Sequence, residues 1–483
     1  MKIPNPISIA AEARRAAAAP ANPRRGLARL RQVAAFFPLA WAGSAVAQQT
    51  IETPPQASNP TPAFRSAAGY FQLHTSLGYT DNAFQVGSDK TGEAVSSAGF
   101  DVDYAHKGNR FDFDSRGALN WIEYLQNPHT GYASGAVNAS ALFGKSDDLL
   151  QWAAWESFGQ LDTDPLAAPT PAHTENVNYV TTGPFLNFTF GGETRLTLRA
   201  LYSNANYQRS PYNSNSVDVG ASLAHALSAS SSVALNVDAR RTSLESAALV
   251  PDYDIRSAFV SYVASSTRTR FNVDFGYITL HYAGKDSGAP LVSAGLDRRI
   301  SASSTVYLQL QSGYSSSAES VRGAAGLFAP SSLSAGASSP NPYKQESASI
   351  GWNFNRPRTE VSVFSSLTRQ RYQNEAALNQ NSVSLQALVL YRLRPSVAAT
   401  LSVRRETEKY RTLGADVTQT TLIAGLTKTF NRVGLSVRFE RFDRGGANNG
   451  NNIVAVYNEN RVGLYVTYDL LGRHLIPTNL AEH

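Results

Sequence analysis

Cysteine is absent from the 483 residues, and methionine occurs once, at Met1. Without thiols there are no disulfides, no thiolate metal sites and no lipid anchor on a cysteine after a leader. Membrane-spanning apolar runs are missing too. The stretch from Val33 to Val46 is interrupted by Pro38 and falls short of the roughly 20 residues that a spanning helix needs. Histidines are few and scattered, at positions 74, 106, 129, 173, 225, 281, 474 and 483, with no i, i+4 pair. Neither a Gly-x-Ser-x-Gly elbow, nor zinc spacing, nor a phosphate loop occurs. The sequence therefore offers no catalytic constellation, no metal site and no cofactor site, and a non-enzymatic role is expected.

The formal charge of +6 is also less than it looks. Residues 1–47 read as a signal peptide. Arg14, Arg15, Arg24, Arg25, Arg29 and Arg31 precede the short apolar stretch, which closes on Ala45-Val46-Ala47. That segment holds seven of the 43 basic residues and one of the 37 acids, which leaves 36 against 36. A neutral remainder gives no reason to expect a nucleic-acid partner. The Pro-rich stretch 48–67 reads as a periplasmic linker. It is far shorter than the plug of siderophore-type receptors, which disfavours that class.

What is present is alternation. Phe111, Phe113, Leu119 and Trp121 alternate with Asp112, Asp114, Asn120 and Ile122, and Leu196, Leu198, Ala200 and Tyr202 with Arg195, Thr197, Arg199 and Leu201. A period of two over ten or more residues puts one apolar and one polar face on an extended strand. About twenty such segments (16–20) run from 68 to 470, with a tail at 471–483. Most reach the roughly 9–11 residues of a tilted membrane strand.

The connections alternate as well. Tight turns near Lys107-Gly108-Asn109, Gly191-Gly192, Asn355–Arg358 and Asn431-Arg432 alternate with longer Asn-, Pro-, Gly- and Ser-rich links such as Asp81–Glu93, Asp162–His173, Ser316–Pro342 and Gly445–Asn452. Short turns at one end and long loops at the other describe an all-β, antiparallel, up-and-down transmembrane barrel of the bacterial outer membrane. Both termini are then expected on the periplasmic side.

Strand phase turns this fold into a set of lumen candidates: Asp112, Asp114, Arg116, Arg199, Asp238, Arg240, Asp274, Arg392, Arg404, Arg438 and Glu440. They form either a selectivity ladder or a set of charges neutralising one another across strands. Mixed signs suit a neutral or weakly charged solute. Tyr70, Tyr79, Tyr104, Tyr124, Tyr282 and Tyr372 are placed in interface girdles, the alternative being an aromatic track for sugars in the lumen. The Ser316–Pro342 link is either a plug or a surface loop, and Pro184 inside a strand predicts a bulge.

Two stretches resemble known proteins. Arg461 to Tyr468, with apolar or aromatic residues at alternate positions after Gly463, resembles the signal read by the barrel-assembly machinery. The run Leu77-Gly78-Tyr79-Thr80-Asp81-Asn82-Ala83-Phe84, with Gln151-Trp152, Gln160-Leu161-Asp162-Thr163-Asp164-Pro165, Asn176 and Thr182-Gly183-Pro184, resembles outer-membrane β-barrel porin-type proteins of exopolysaccharide and PEP-CTERM/exosortase systems. That resemblance implies a pore for export or surface handling of an exopolysaccharide, with outer-membrane lipid, the assembly machinery, the polymer and periplasmic export components as partners. A general diffusion porin and a closed, surface-binding barrel are the alternatives.

Overall fold

The computed structural model describes residues 69–126, 131–145, 148–246, 250–323, 336–448 and 454–471. The expected leader, the linker and all but the first residue of the tail lie outside the described residues. Twenty strands follow one another. They are β1 (Tyr70–Thr80), β2 (Glu93–Lys107), β3 (Phe111–Tyr124), β4 (Tyr132–Phe143), β5 (Leu150–Asp162), β6 (Thr174–Phe190), β7 (Thr194–Tyr207), β8 (Ser214–Ser228), β9 (Ser231–Leu244) and β10 (Tyr253–Ser265). The second half comprises β11 (Thr269–Tyr282), β12 (Lys285–Ser301), β13 (Ser304–Ser315), β14 (Tyr343–Arg356), β15 (Thr359–Tyr372), β16 (Gln380–Arg394), β17 (Val397–Tyr410), β18 (Ala415–Phe430), β19 (Val433–Asn448) and β20 (Tyr457–Asp469).

Each strand pairs antiparallel with its neighbours in sequence, and β1 closes on β20 from Gln72↔Asp469 to Thr80↔Arg461. The result is a closed barrel without an edge, the form in which a sheet satisfies its own backbone in lipid.

Register turns alternation into two surfaces. Leu77, Leu464, Val437 and Leu426 are successive partners across β1, β20, β19 and β18, and all four are exposed. Gly78, Gly463, Arg438 and Gly425, one residue along, form the matching inward row. The outward face is thus an apolar belt and the inward face is polar, as an outer-membrane barrel requires. A one-residue slip anywhere would exchange the two faces.

Three expectations change. Pro184 makes no bulge: β5 pairs through it without a shift, and the β6–β7 ladder resumes at Phe185↔Arg199 in the register it held at Thr182↔Tyr202. The outward-facing ring of Pro184 costs a ladder bond but inserts no residue. Nor is every link at the loop-bearing end long. β11 and β12 join through Ala283-Gly284 alone, both with positive φ (51° and 73°), so the glycine sits where a side chain would be strained.

The third change concerns the girdle. Tyr79 and Tyr104 face outward, but Tyr70, Tyr124, Tyr282 and Tyr372 are buried on the inward face. With Tyr132, Tyr207, Tyr253, Tyr343, Tyr410 and Tyr457, the last three of those four line the inside of the loop-bearing mouth. Tyr253 lies edge-on to Tyr282 at 6.3 Å, and Tyr343 packs at 4.8 Å from Tyr372. A ring with a hydroxyl suits that place because the mouth is partly filled, as described next.

Candidate functional site

The site of interest is the lumen. All eleven residues placed there by strand phase lie on its face, but only some come together. Arg199 on β7 bonds Asp238 on β9 at 2.6 Å and Asp218 on β8 at 3.2 Å, and Arg240 reaches Asp218 at 3.4 Å. Arg438 stacks on the Tyr465 ring at 4.1 Å, and the hydroxyl of Tyr465 donates to Glu440 at 3.0 Å. The others are separate. Arg116 lies 3.8 Å from Asp103, Arg404 bonds Glu406 at 2.6 Å, and Arg392 bonds Glu360 at 2.5 Å by the periplasmic turn. Asp112 accepts the Gly108 amide at 2.9 Å, Asp274 is bonded by Ser261 and Ser293, and Asp114 faces the lumen near Asp112. Five of the eleven charges are thus paired with an opposite charge across strands, and no continuous ladder of one sign results.

Two loops enter from the extracellular mouth. In the β13–β14 loop a single helical turn, α1 (Ser317–Ser320), begins with a capping box between Ser316 and Glu319 and continues as a 3₁₀ turn over Val321–Gly323. Glu319 then bonds Arg240, so the helix is pinned to the Arg199–Asp218–Asp238 network. Arg322 stacks 4.6 Å above Tyr179 and donates to Thr181 Oγ1 at 2.6 Å, while Asn138 donates to its carbonyl at 2.5 Å. Ala318 and Val321 pack with Leu161, Val177, Tyr179, Ala205 and Tyr207. The returning segment pairs with the end of β5, where the Asp162 amide donates to Gly336 O at 2.9 Å and the Ser338 amide to Asp162 O at 2.7 Å. Of the two readings of this loop, the described parts take the inner one.

The β5–β6 loop crosses toward the far wall. Leu166 is buried among Tyr410, Ala415, Val417 and Val454, Arg444 donates to Pro165 O at 2.7 Å, and the Ala455 amide donates to Leu166 O at 2.9 Å. Its departure is prepared in the wall. β4 and β5 pair only between Val137↔Phe158 and Phe143↔Trp152, although β4 runs back to Tyr132 and β5 on to Asp162. Gln160 bridges the parted strands, donating to Ala133 O at 3.1 Å and accepting from Ser134 at 3.0 Å.

Between the β5–β6 loop, the β1–β2 link and the wall formed by β18–β20 and β1–β6 lies a cavity of about 100 Å³. Tyr132, Gln160, Gln419, Tyr457, Arg461 and Tyr465 are among its lining residues. Arg461 is held by Glu459 at 2.5 Å, so its charge too is matched. The space is several times the roughly 10–15 Å³ that one water needs, but it is no passage for a polymer. Nearby on β1, His74 is clamped between Asp101 at 2.9 Å and Asn120.

Asp218, Glu459 and Arg461 belong to the same inward face, and all three alternate correctly in strands that the sequence marks. Glu319, Arg322 and Leu166 lie in loops with no period, where no such signal exists.

No family model matches the chain, and no curated protein matches it. Among solved structures it is similar to the siderophore receptor PirA from Acinetobacter baumannii (8% identity, 84% of this chain, 81% of that one, TM-score 0.43). It is also similar to the FrpB iron transporter from Neisseria meningitidis, F3-3 variant (9%, 83%, 81%, 0.38), and to the ferric yersiniabactin uptake receptor FyuA from Yersinia pestis (11%, 83%, 80%, 0.36). Likeness at this level carries no functional argument. The barrel's closure and its outward apolar belt make it an outer-membrane protein on their own.

Proposed function

We propose that this outer-membrane barrel is a channel for small, uncharged or weakly charged, hydroxyl-rich solutes, narrowed by its two infolded loops. The observation that carries the reading is the cavity beside the β5–β6 loop. Its Gln419 amide can both donate to and accept from hydroxyls, and its tyrosines present apolar ring faces. Its charged groups are two acids, Glu440 and Asp443, and two cations, Arg444 and Arg461, so neither sign dominates and little field is left to select an ion.

Export or surface handling of an exopolysaccharide is the second reading, favoured by the resemblance of Leu77–Phe84 and Gln151–Pro165. It needs a wider path than the cavity beside the β5–β6 loop, which at about 100 Å³ would not admit a polymer strand. The assembly machinery and periplasmic export components belong to that reading as partners.

Full-length protein in planar bilayers and liposomes tests the first reading. A small conductance with little preference between cations and anions is expected, with swelling in a pentose or hexose and none in a large dextran. Silence in both assays, even after the loops are unpinned, would leave a closed structural barrel. A deletion strain tests the second: polymer lost from the surface and trapped in the periplasm would favour export over diffusion.

A further inference from the structure

At the loop-bearing end, the outward face of the barrel carries an excess of positive charge across β14–β18. Across β14 to β18 a single row of register partners reads Glu346, Arg369, Asn381, Lys409, Asp416. Lys344 and its partner Arg371 lie one step nearer the mouth, Arg411 follows Tyr410 in the next loop, and Arg405 stands below Lys409 on β17. These six cations face two acids. Glu346 is shared between Lys344 at 2.7 Å and Arg369 at 3.5 Å, and Asp416 lies 3.6 Å from Lys409. Arg369, Arg405, Lys409 and Arg411 are exposed.

Two other described sectors at this end are balanced. On β9–β12 and the links between them, Arg241, Arg256 and Lys285 are met by Asp252, Asp254 and Asp286. On β19, Arg441 chelates Asp443 through bonds of 2.8 and 3.0 Å.

Position gives the patch its meaning. The next outward row toward the membrane contains Ala348, Leu367 and Val383, and the one after it Ile350 and Leu385. The cations thus stand immediately above lipid-facing side chains, at the height of headgroups. Neighbouring strands are about 4.8 Å apart, so Arg369 and Lys409, two strands apart, lie about 10 Å from one another with only Asn381 between. Arg371 is pre-set by bonds to Gln370 O, Gln380 O and Asn381 Oδ1 at 2.7–2.9 Å.

We propose that the cationic row Lys344, Arg369, Arg371, Lys409 and Arg411 on the outer wall of β14–β17 binds the phosphates of an outer-leaflet glycolipid, whose acyl chains lie on Leu367, Val383 and Leu385. Guanidinium and ammonium groups above an apolar surface complement a headgroup that is anionic at the top and apolar below. This surface is separate from the lumen and from whatever the lumen passes.

The test uses full-length folded protein in detergent, titrated with rough lipopolysaccharide and with the same lipid after removal of its phosphates. The triple variant Arg369→Gln/Lys409→Gln/Arg411→Gln is compared with the parent and with Arg241→Gln/Arg256→Gln/Lys285→Gln from the balanced sector. The heat-dependent electrophoretic shift of each variant certifies a folded barrel. Expected are a loss of affinity of at least about tenfold in the first triple, a similar loss for the parent with dephosphorylated lipid, and no loss in the second triple. Excess inorganic phosphate should not displace the lipid. Equal binding of the two lipids, an unaffected first triple, an equally affected second triple, or full competition by inorganic phosphate would each overturn the assignment. So would self-association of the parent through this face in the presence of lipid.

Discussion

Arg240 on β9 and Glu319 on the one-turn helix α1 meet inside the barrel, and through them the Arg199–Asp218–Asp238 network reaches a loop from the opposite half of the sequence. Both side chains are almost fully buried, at 14% and 6% exposure. Removing one partner of a buried pair leaves the other charge unmatched, at a cost of about 3–5 kcal/mol. Glu319→Gln should therefore release the β13–β14 loop rather than the barrel. The expected result is a higher and noisier single-channel conductance with an unchanged electrophoretic shift. An identical trace would show that the pair does not hold the loop.

The β5–β6 loop depends on an apolar contact instead. Leu166→Ala should weaken its seat by about 2–3 kcal/mol, the lower part of the range for buried leucines. Leu166 and Val417 share one apolar cluster, and the chain has no cysteine of its own, so Leu166→Cys/Val417→Cys can be oxidised without competing thiols. Oxidation should lower sugar-driven liposome swelling and reduction should restore it. Swelling indifferent to the crosslink would place the path elsewhere.

One loop anchor titrates. Asp81 in the β1–β2 link accepts the Asn460 amide and the Asn460 side-chain nitrogen, both at 2.7 Å. Partial burial pushes its carboxyl up, but these bonds, with Lys90 nearby, outweigh it and hold the pKa below the ordinary 3.8. A carboxyl depressed on folding contributes stability above the unfolded value, and that contribution fades as pH falls through the folded one. Hydrogen exchange in 81–92 should therefore accelerate, after correction for intrinsic rates, only as pH drops below the usual carboxylate range. Asp81→Asn should abolish that pH dependence.

Strand β6 offers a backbone test. At Gly183 an added Cβ would stand 2.0 Å from Ala200 O, so Gly183→Ala has to push β7 away. Pro184, one residue along, faces outward where the β6–β7 ladder already lacks a bond. Gly183→Ala should reduce the yield of folded barrel markedly. Pro184→Val should be neutral or stabilising by up to about 1 kcal/mol in denaturant titration.

How far such a fold can be read in advance depends on what imposes its periodicity. Lipid outside and polar groups inside force an alternation of two, so Arg199, Asp238 and Arg438 could be assigned to the lumen from phase alone. The same logic fails for tyrosine, which is at home on either face. Tyr282 and Tyr372 sit at strand ends, where the belt is expected, yet they turn inward against the loops. Nothing periodic marks Leu166, Glu319 or Arg322, because their partners lie on distant strands that only barrel closure brings near. The Ala283-Gly284 turn was hidden by its polar flank Lys285-Asp286, which reads as loop but extends β12.

The bonds between Asp162 at the end of β5 and the segment 336–338 bear on how the molecule is made. Their two halves emerge far apart in time from any assembly process that adds strands in order, and the β1–β20 seam is the last to form. A cylinder sealed with the β13–β14 loop still outside would have to draw a charged helix in through a mouth ringed by tyrosines. Biogenesis therefore favours seating that loop while the wall is still open, which makes the final zipping of β1 to β20 a checkpoint for the interior as well as for the sheet.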